Sequence, residues 1–199
     1  MIIWTIQPYE VYQEILTTGT FYCDPSLSTN LKDDADFTRA YRWMIQQMIK
    51  KIGPSDQLNV YPIWAWYRSR DYTHQRPDFR WIRDYSDEVC IELNISDDKV
   101  LLSDFQGWHF ILNDWYYSDA MSQDEWDRKD KWFDGLSAKQ QQQEKEKSWQ
   151  QIFDVTPRYG DWDANGEAVQ ACFWSIKKEQ IRKVWRLKQG EKVRKIYSV

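Results

Sequence analysis

The chain opens with Ile2-Ile3-Trp4-Thr5-Ile6, a run of β-branched and aromatic residues that predicts a short buried strand. Pro8 follows, and proline suits the first turn of a helix because its missing N–H would have no partner there. Apolar residues then recur at helical spacing as far as Leu16, and Gly19 ends the helix as its C′ residue. The opening unit is therefore a strand, a tight turn, a short helix and a glycine.

Beyond this unit, the pattern predicts one long helix and two further strands. Residues 33–52 carry an apolar stripe at helical spacing, and Gly53-Pro54 ends it. Val60–Tyr67 is a second strand, with Pro62 near its start because proline cannot donate to a strand ladder. Glu88–Ile95 alternates apolar and polar residues, which is typical of a half-buried strand.

The second half begins with two capping boxes, which mark helix starts. Ser103 with Gln106 opens an aromatic helix, and Ser122 with Glu125 opens a polar helical excursion at about 118–153 that breaks near Gly135. Three strands end the chain, at Val169–Ile176, Ile181–Leu187 and Val193–Val199. Helices followed by strands predict one α+β domain spanning 1–199, with helices packed on a mixed or antiparallel sheet.

Composition excludes several classes of protein. The chain has 199 residues, a net charge of −4 and 42% hydrophobic residues, so it is not intrinsically disordered. Its three cysteines are widely spaced, which argues against a disulfide framework or a cysteine zinc site. No apolar run approaches the length of a membrane span, and the N-terminus lacks a signal-peptide pattern. We expect a cytoplasmic protein without a membrane partner.

No common catalytic motif is present. The sequence has two histidines and contains no HExxH, Walker loop, GxGxxG or GxSxG, so we expect no bound metal. His109 in its apolar helix is either a histidine bonded to a carbonyl or a catalytic group. The 13 Trp, 12 Tyr and 8 Phe either fill the core or form a stacking surface for a flat ligand.

Positive charge is concentrated in two places. Residues 177–199 contain nine lysines and arginines and two glutamates, and Lys183 and Arg186 lie at their centre. This end either contacts phosphates, on nucleic acid or on a phosphorylated ligand, or is a solvated face balanced by acids elsewhere. A second candidate for acceptor binding is an arginine-rich loop with aromatic residues between its cations. Its arginines are Arg68, Arg70, Arg76, Arg80 and Arg83.

Four motifs are spread over the chain. They are Trp4-Thr5-Ile6-Gln7 with Gly19 and Cys23-Asp24, Trp64-Ala65-Trp66-Tyr67, Leu101-Leu102-Ser103-Asp104-Phe105 with Trp108-His109, and Gln170-Ala171 with Phe173-Trp174. Together they resemble a bacterial and phage family of small proteins catalogued as a domain of unknown function. The resemblance covers nearly the whole chain but implies no activity.

The opening strand, helix and glycine are also similar to ADP-ribosyltransferase-fold toxins. That likeness implies an NAD-contacting residue on the first strand, a nicotinamide-packing residue on a middle strand and a catalytic Glu on a later strand. Here the first position falls on Trp4 or Thr5, and the likeness implies that Gln7 lines the cofactor together with them. The middle position falls on Tyr67 and the later one on Gln170. The catalytic residue is thus a neutral amide, and Glu167 is the nearest acid that would supply charge to a sugar cation.

The resemblance implies an enzyme that uses NAD to modify a nucleic acid or a protein, in conflict between phage and host. Two other functions remain open: a non-catalytic nucleotide or nucleic-acid binding module, and a partner in a defence or counter-defence system that docks through the excursion. The hypothesis of an NAD-using enzyme predicts that Trp4, Tyr67 and Gln170 meet around one cleft.

Overall fold

The computed structural model describes residues 1–27, 34–80 and 86–199. They form an α+β domain of nine strands and five helices, with short 3-10 turns between them. The strands are β1 Ile2–Pro8, β2 Thr20–Tyr22, β3 Ile63–Arg68, β4 Asp87–Asn94, β5 Leu101–Asp104, β6 Val169–Phe173, β7 Ser175–Lys177, β8 Ile181–Lys188 and β9 Arg194–Ser198. The helices are α1 Tyr9–Thr18, α2 Ala35–Ile52, α3 Phe105–Leu112, α4 Gln123–Asp134 and α5 Ala138–Ser148.

Seven of these strands form one sheet, in the order β5-β6-β3-β1-β4-β8-β9, while β2 pairs with β7. Every registered strand pair in the described ranges is antiparallel, so the sheet is antiparallel and not mixed. The opening strand β1 lies in the middle. Its side chains therefore contribute to both faces of the sheet, with Ile3 in the buried cluster of one face and Trp4 in a cluster of the other.

The two faces of the sheet have different covers. On the α1 face, Tyr12 and Ile15 pack on Ile3, Ile91 and other inward-facing strand residues. On the opposite side, which we call the α2 face, Trp43 and Met44 of α2 pack with Trp108 and with the 3-10 turn Trp149–Phe153. A second cluster on the α2 face surrounds Trp4, Cys90 and Leu187. Among the described residues, six aromatic side chains are buried and ten more are partly buried against these clusters, so about half of the rings contribute to the core.

The sheet consists of two halves that meet at a narrow junction. β1 pairs with β4 over seven positions, from Ile2 to Pro8, but its register with β3 consists of Trp4 opposite Trp66. A side chain strengthens this junction, because Thr5 Oγ1 donates to the carbonyl of Trp64 at 2.8 Å. Gln7 Nε2 in turn donates to Thr5 Oγ1 at 2.8 Å. Thr5 is fully buried, so its hydroxyl takes the place of a missing ladder bond.

Several predicted boundaries are confirmed. Gly19 ends α1 with φ of 85°, a left-handed conformation that glycine adopts without strain, and its N–H donates to Ile15 O at 2.9 Å. Ser122 caps α4, and the excursion breaks at Gly135 between α4 and α5. The excursion ends inside the core, however, since Trp149 and Ile152 are buried.

Three local predictions are wrong. Pro8 is the last residue of β1 and precedes α1 instead of starting it. Ser103 belongs to β5, and Asp104 caps α3. The strand predicted over Val169–Ile176 is two strands, because the chain leaves the main sheet at Trp174 to pair with β2.

Replacing Thr5 with valine tests the junction. Valine keeps the shape but leaves the Trp64 carbonyl and the Gln7 amide without their partner. We expect Thr5→Val to lower the free energy of unfolding by about 1–3 kcal/mol, measured by urea denaturation. Thr17→Val, at an exposed site on α1, is the control and should cost less than about 0.5 kcal/mol. An equal, small effect of both changes would show that the hydroxyl does not hold the halves together.

Candidate functional site

A line of residues in direct register crosses the α2 face of the sheet. Cross-strand partners in antiparallel strands point to the same face, so each of these side chains lies beside the next one across the sheet. From β5 to β8 the line is Ser103, Gln170, Trp66, Trp4, Glu92 and Lys183. Four of the six are polar or charged, which is unusual for a face that otherwise packs against helices.

The β5–β6 end of the line carries two polar groups without partners. Ser103 is fully buried, and Gln170 is half-buried. Among the described residues, neither Ser103 Oγ nor Gln170 Oε1 has a hydrogen-bond partner. Leaving a buried polar group unpaired costs about 1–3 kcal/mol, so a pair of them side by side needs a reason. Together they leave one hydroxyl and one carbonyl oxygen unpaired beneath the surface of this face.

Aromatic rings lie beside these two groups. The Trp66 ring centroid is 5.1 Å from that of Phe105, and Phe105 is 4.8 Å from the His109 ring. All three side chains are half-buried. His109 Nδ1 lies 3.0 Å from the carbonyl of Phe105, one turn back, so the histidine bonded to a carbonyl is the arrangement present.

Asp104 fixes the position of Phe105 within this group of rings. Its Oδ1 accepts from the Gly107 N–H at 2.7 Å, which caps α3, and its Oδ2 accepts from the Gly166 N–H at 2.9 Å. The side chain is buried, so one carboxylate sets both the start of α3 and the approach to β6. Phe105 and Gln170 are held relative to each other as a result.

The other end of the line is a satisfied charge pair. Glu92 is buried; it accepts from Trp4 Nε1 at 3.2 Å and from Lys183 Nζ at 2.9 Å. The sequence analysis did not predict a role for Glu92. A signal was present, because Glu92 is an acid within a strand whose other face is apolar, and it lies on the same face as Cys90 and Asn94. Its partners make it a structural anchor for Trp4.

The predicted cofactor residues do not share one surface. Trp4 and Gln170 lie on the α2 face, in one line with Trp66. Thr5, Gln7 and Tyr67 are offset by one residue and belong to the α1 face, where Tyr67 packs against the buried cluster of Ile3. The expectation that Trp4, Tyr67 and Gln170 meet around one cleft is therefore wrong, because side chains alternate between faces and Tyr67 has the opposite parity.

Glu167 also lies apart from Gln170. Its side chain is exposed, and its backbone carbonyl accepts from the Tyr72 N–H at 3.0 Å. Glu167 precedes β6, so it does not occupy a position in the register line.

The loop arginines are engaged in contacts within the protein. Arg70 and Arg80 both donate to Asp78, and the guanidinium of Arg80 holds the pKa of that carboxyl below its usual range. Arg68 donates to the carbonyl of Gly166. Arg76 lies over the rings of Phe79 and Trp185, 5.0 and 5.1 Å from their centroids. Arg83 lies outside the described residues.

Lys183 and Arg186 do not form one basic patch. Lys183 lies on the α2 face against Glu92, whereas Arg186 lies on the α1 face, against Asp87 and 3.3 Å from the centroid of Tyr9. Each cation thus has an acidic partner within the fold. The positive charges of Lys183 and Arg186 are compensated by acids of the same fold, which fits a charge-balanced surface better than a phosphate-binding site.

The chain belongs to the family described as Domain of unknown function (DUF3841), whose model matches residues 2–182. No curated protein and no solved structure is significantly similar to it.

The described ranges also show no metal site and no membrane helix. Within them, no three His, Cys, Asp or Glu side chains are grouped so as to hold a metal ion. None of their helices has both the length and the apolar character needed to cross a bilayer.

A double-mutant cycle tests whether Glu92 and Lys183 are structural. Lys183→Met removes the nearer of two cations from a buried carboxylate, since Arg182 Nε lies 3.9 Å from Glu92 Oε1, and should lower the free energy of unfolding by about 1–3 kcal/mol. The added change Glu92→Gln removes the charge of that carboxylate and should recover most of the loss, measured by urea denaturation. If the two changes are additive, the carboxylate and the ammonium are not coupled.

Proposed function

We propose that this protein is an ADP-ribosyltransferase-like protein that binds NAD on the α2 face of its sheet. The observation that carries the proposal is the order of three strands. β1, β3 and β6, to which the likeness assigns functional residues, are immediate neighbours, and Trp4, Trp66 and Gln170 lie on one register line.

The unpartnered polar pair matches the sugar of a nucleotide. A ribose hydroxyl donates one hydrogen bond and accepts others, and Gln170 Oε1 and Ser103 Oγ are chemically complementary to it. Both atoms are buried, so binding requires a rearrangement that uncovers them. The half-buried rings of Trp66 and Phe105 provide a stacking surface for nicotinamide or adenine. The likeness to ADP-ribosyltransferase-fold toxins implied this role for Tyr67. The NAD-binding set in this proposal is therefore Ser103, Gln170, Trp66 and Phe105.

The chemistry is transfer of ADP-ribose to a nucleic acid or a protein. The bond between ribose C1′ and the nicotinamide nitrogen breaks, nicotinamide leaves, and an oxygen or nitrogen of the acceptor bonds to C1′ and loses its proton. Positive charge develops on the sugar during this step, and a carboxylate would stabilise it more than the Gln170 dipole does.

None of the acids near Gln170 in the described residues supplies that charge. Asp104 is buried, and its two carboxylate oxygens accept from the Gly107 and Gly166 N–H groups. Glu167 is exposed and outside the line, and Glu92 is three strand spacings from Gln170, roughly 14 Å, and paired with Lys183. Transfer should consequently be slow. The neutral amide at 170 also supports a second function, a nucleotide-binding module without turnover.

Substitutions at Gln170 test the site. Gln170→Ala and Ser103→Ala should each weaken NAD binding by roughly 2–10-fold, since each removes one neutral hydrogen bond. Gln170→Glu should increase nicotinamide release about tenfold or more, because the new carboxylate faces the developing sugar cation. Binding is measured by calorimetry, release by chromatography, and acceptor labelling with labelled NAD added to separate nucleic-acid and protein fractions of a lysate.

Gln13→Ala, at an exposed position of α1, is the matched control and should change neither quantity. Binding without release by wild type and Gln170→Glu would favour the non-catalytic module. Absence of both binding and release, in wild type and in Gln170→Glu, would refute the proposal.

A further inference from the structure

The helical excursion borders a surface hollow that the proposed NAD site does not use. The hollow has a volume of about 430 Å³ and lies between the end of α3, the following loop and the helices α4 and α5. This volume is in the range of small-molecule sites. Five aromatic side chains line it: Phe110, Trp115, Tyr116, Trp126 and Phe133.

Contacts between the elements hold this hollow in shape. The rings of Tyr116 and Phe133 stack with centroids 4.8 Å apart, and Gln141 Nε2 donates to the Phe133 carbonyl at 3.0 Å. Lys145 Nζ lies 2.7 Å from Asp114 Oδ2, which ties α5 to the loop after α3. These contacts therefore join α4 and α5 to each other and to the loop after α3, which fixes the walls of the hollow.

Large rings remain exposed at this hollow. Trp115 is 57% exposed and Trp126 is 37% exposed. α4 contributes no buried residue to the core, so its apolar rings are not needed for packing of the sheet. A concave surface with several exposed rings is typical of a binding site.

The charge around the rings is negative. Asp114, Asp130 and Asp134 line the hollow together with Lys145, but Lys145 and Arg39 both face Asp114. Within the described part of the chain, Asp130 and Asp134 form no ion pair. The two unpaired carboxylates are four residues apart on α4, and Asp134 is at the negative end of the helix dipole, so both arrangements disfavour the helix. A bound cation would offset this repulsion.

We infer that the hollow binds an organic cation of the alkylated ammonium class, either as a free small molecule or as a methylated lysine of another protein. Aromatic faces attract such cations through their quadrupoles, and they also accommodate the alkyl groups. Unpaired carboxylates add attraction and disfavour phosphate or carboxylate ligands. A bare divalent metal ion fits less well, since most of the wall is carbon and such ions require oxygen ligands.

Choline and its neutral isostere 3,3-dimethyl-1-butanol test the inference on the full chain by calorimetry. We expect choline to bind and the isostere, which has the same shape without the charge, to bind at least about tenfold more weakly. Capped trimethyllysine is the second cationic probe. Tighter binding of the lysine derivative would identify a protein ligand, and equal or tighter binding of choline would identify a small molecule.

Variants on α4 locate the site. Asp130→Asn with Asp134→Asn should weaken binding of the cation at least about tenfold without lowering the thermal midpoint, because both side chains are exposed and unpaired. Asp127→Asn, an exposed change on the same helix outside the hollow, should leave binding unchanged. The inference would be overturned if neither cation bound at about 1 mM, if the isostere bound equally well, or if Asp127→Asn had the same effect as the pair.

Discussion

A single backbone pair, Trp4 with Trp66, and the buried hydroxyl of Thr5 join the two halves of the sheet. Within the half formed by β1, β4, β8 and β9, and within the half formed by β5, β6 and β3, each pair of neighbouring strands is registered at four or more positions. Because β1 and β3 are registered at one position, much of their remaining cohesion comes from side chains. The packing of both faces depends on this junction, since it sets the position of the β3–β6 aromatic and polar residues relative to Trp4.

The α2 face contains two polar centres that differ in how well they are satisfied. Glu92 receives hydrogen bonds from Trp4 and Lys183, as a buried charge requires for stability. Ser103 and Gln170, on the same register line, leave buried oxygens unpaired. Glu92 is therefore a structural centre at one end of the line. Ser103 and Gln170 are the candidate binding centre at the other end.

Helix α3 connects the two candidate sites. Phe105 and His109 lie beside Trp66, whereas Phe110 and the loop that follows the helix line the hollow near α4. The helix has eight residues, so its ends are only roughly 12 Å apart. Its start is fixed by Asp104 and its end by the hydrogen bonds that Arg39 donates to the carbonyls of Ile111 and Leu112. The chemistry proposed for the two places is nonetheless different, because one offers neutral hydrogen-bonding groups and the other offers unpaired negative charge.

Elements whose signal is local could be predicted from the sequence. The strand at Ile2–Ile6, the helix predicted over 33–52 and found at Ala35–Ile52, and the end of α1 at Gly19 follow from periodicity and from the conformational preference of glycine. Tertiary structure decided which of two neighbouring residues takes a role. Asp104 and not Ser103 caps α3, because β5 extends through Ser103 to pair with Gln170. Trp66 and not Tyr67 shares a face with Gln170, because strand parity is set by the register with β1 and β6, which depends on residues more than fifty positions away.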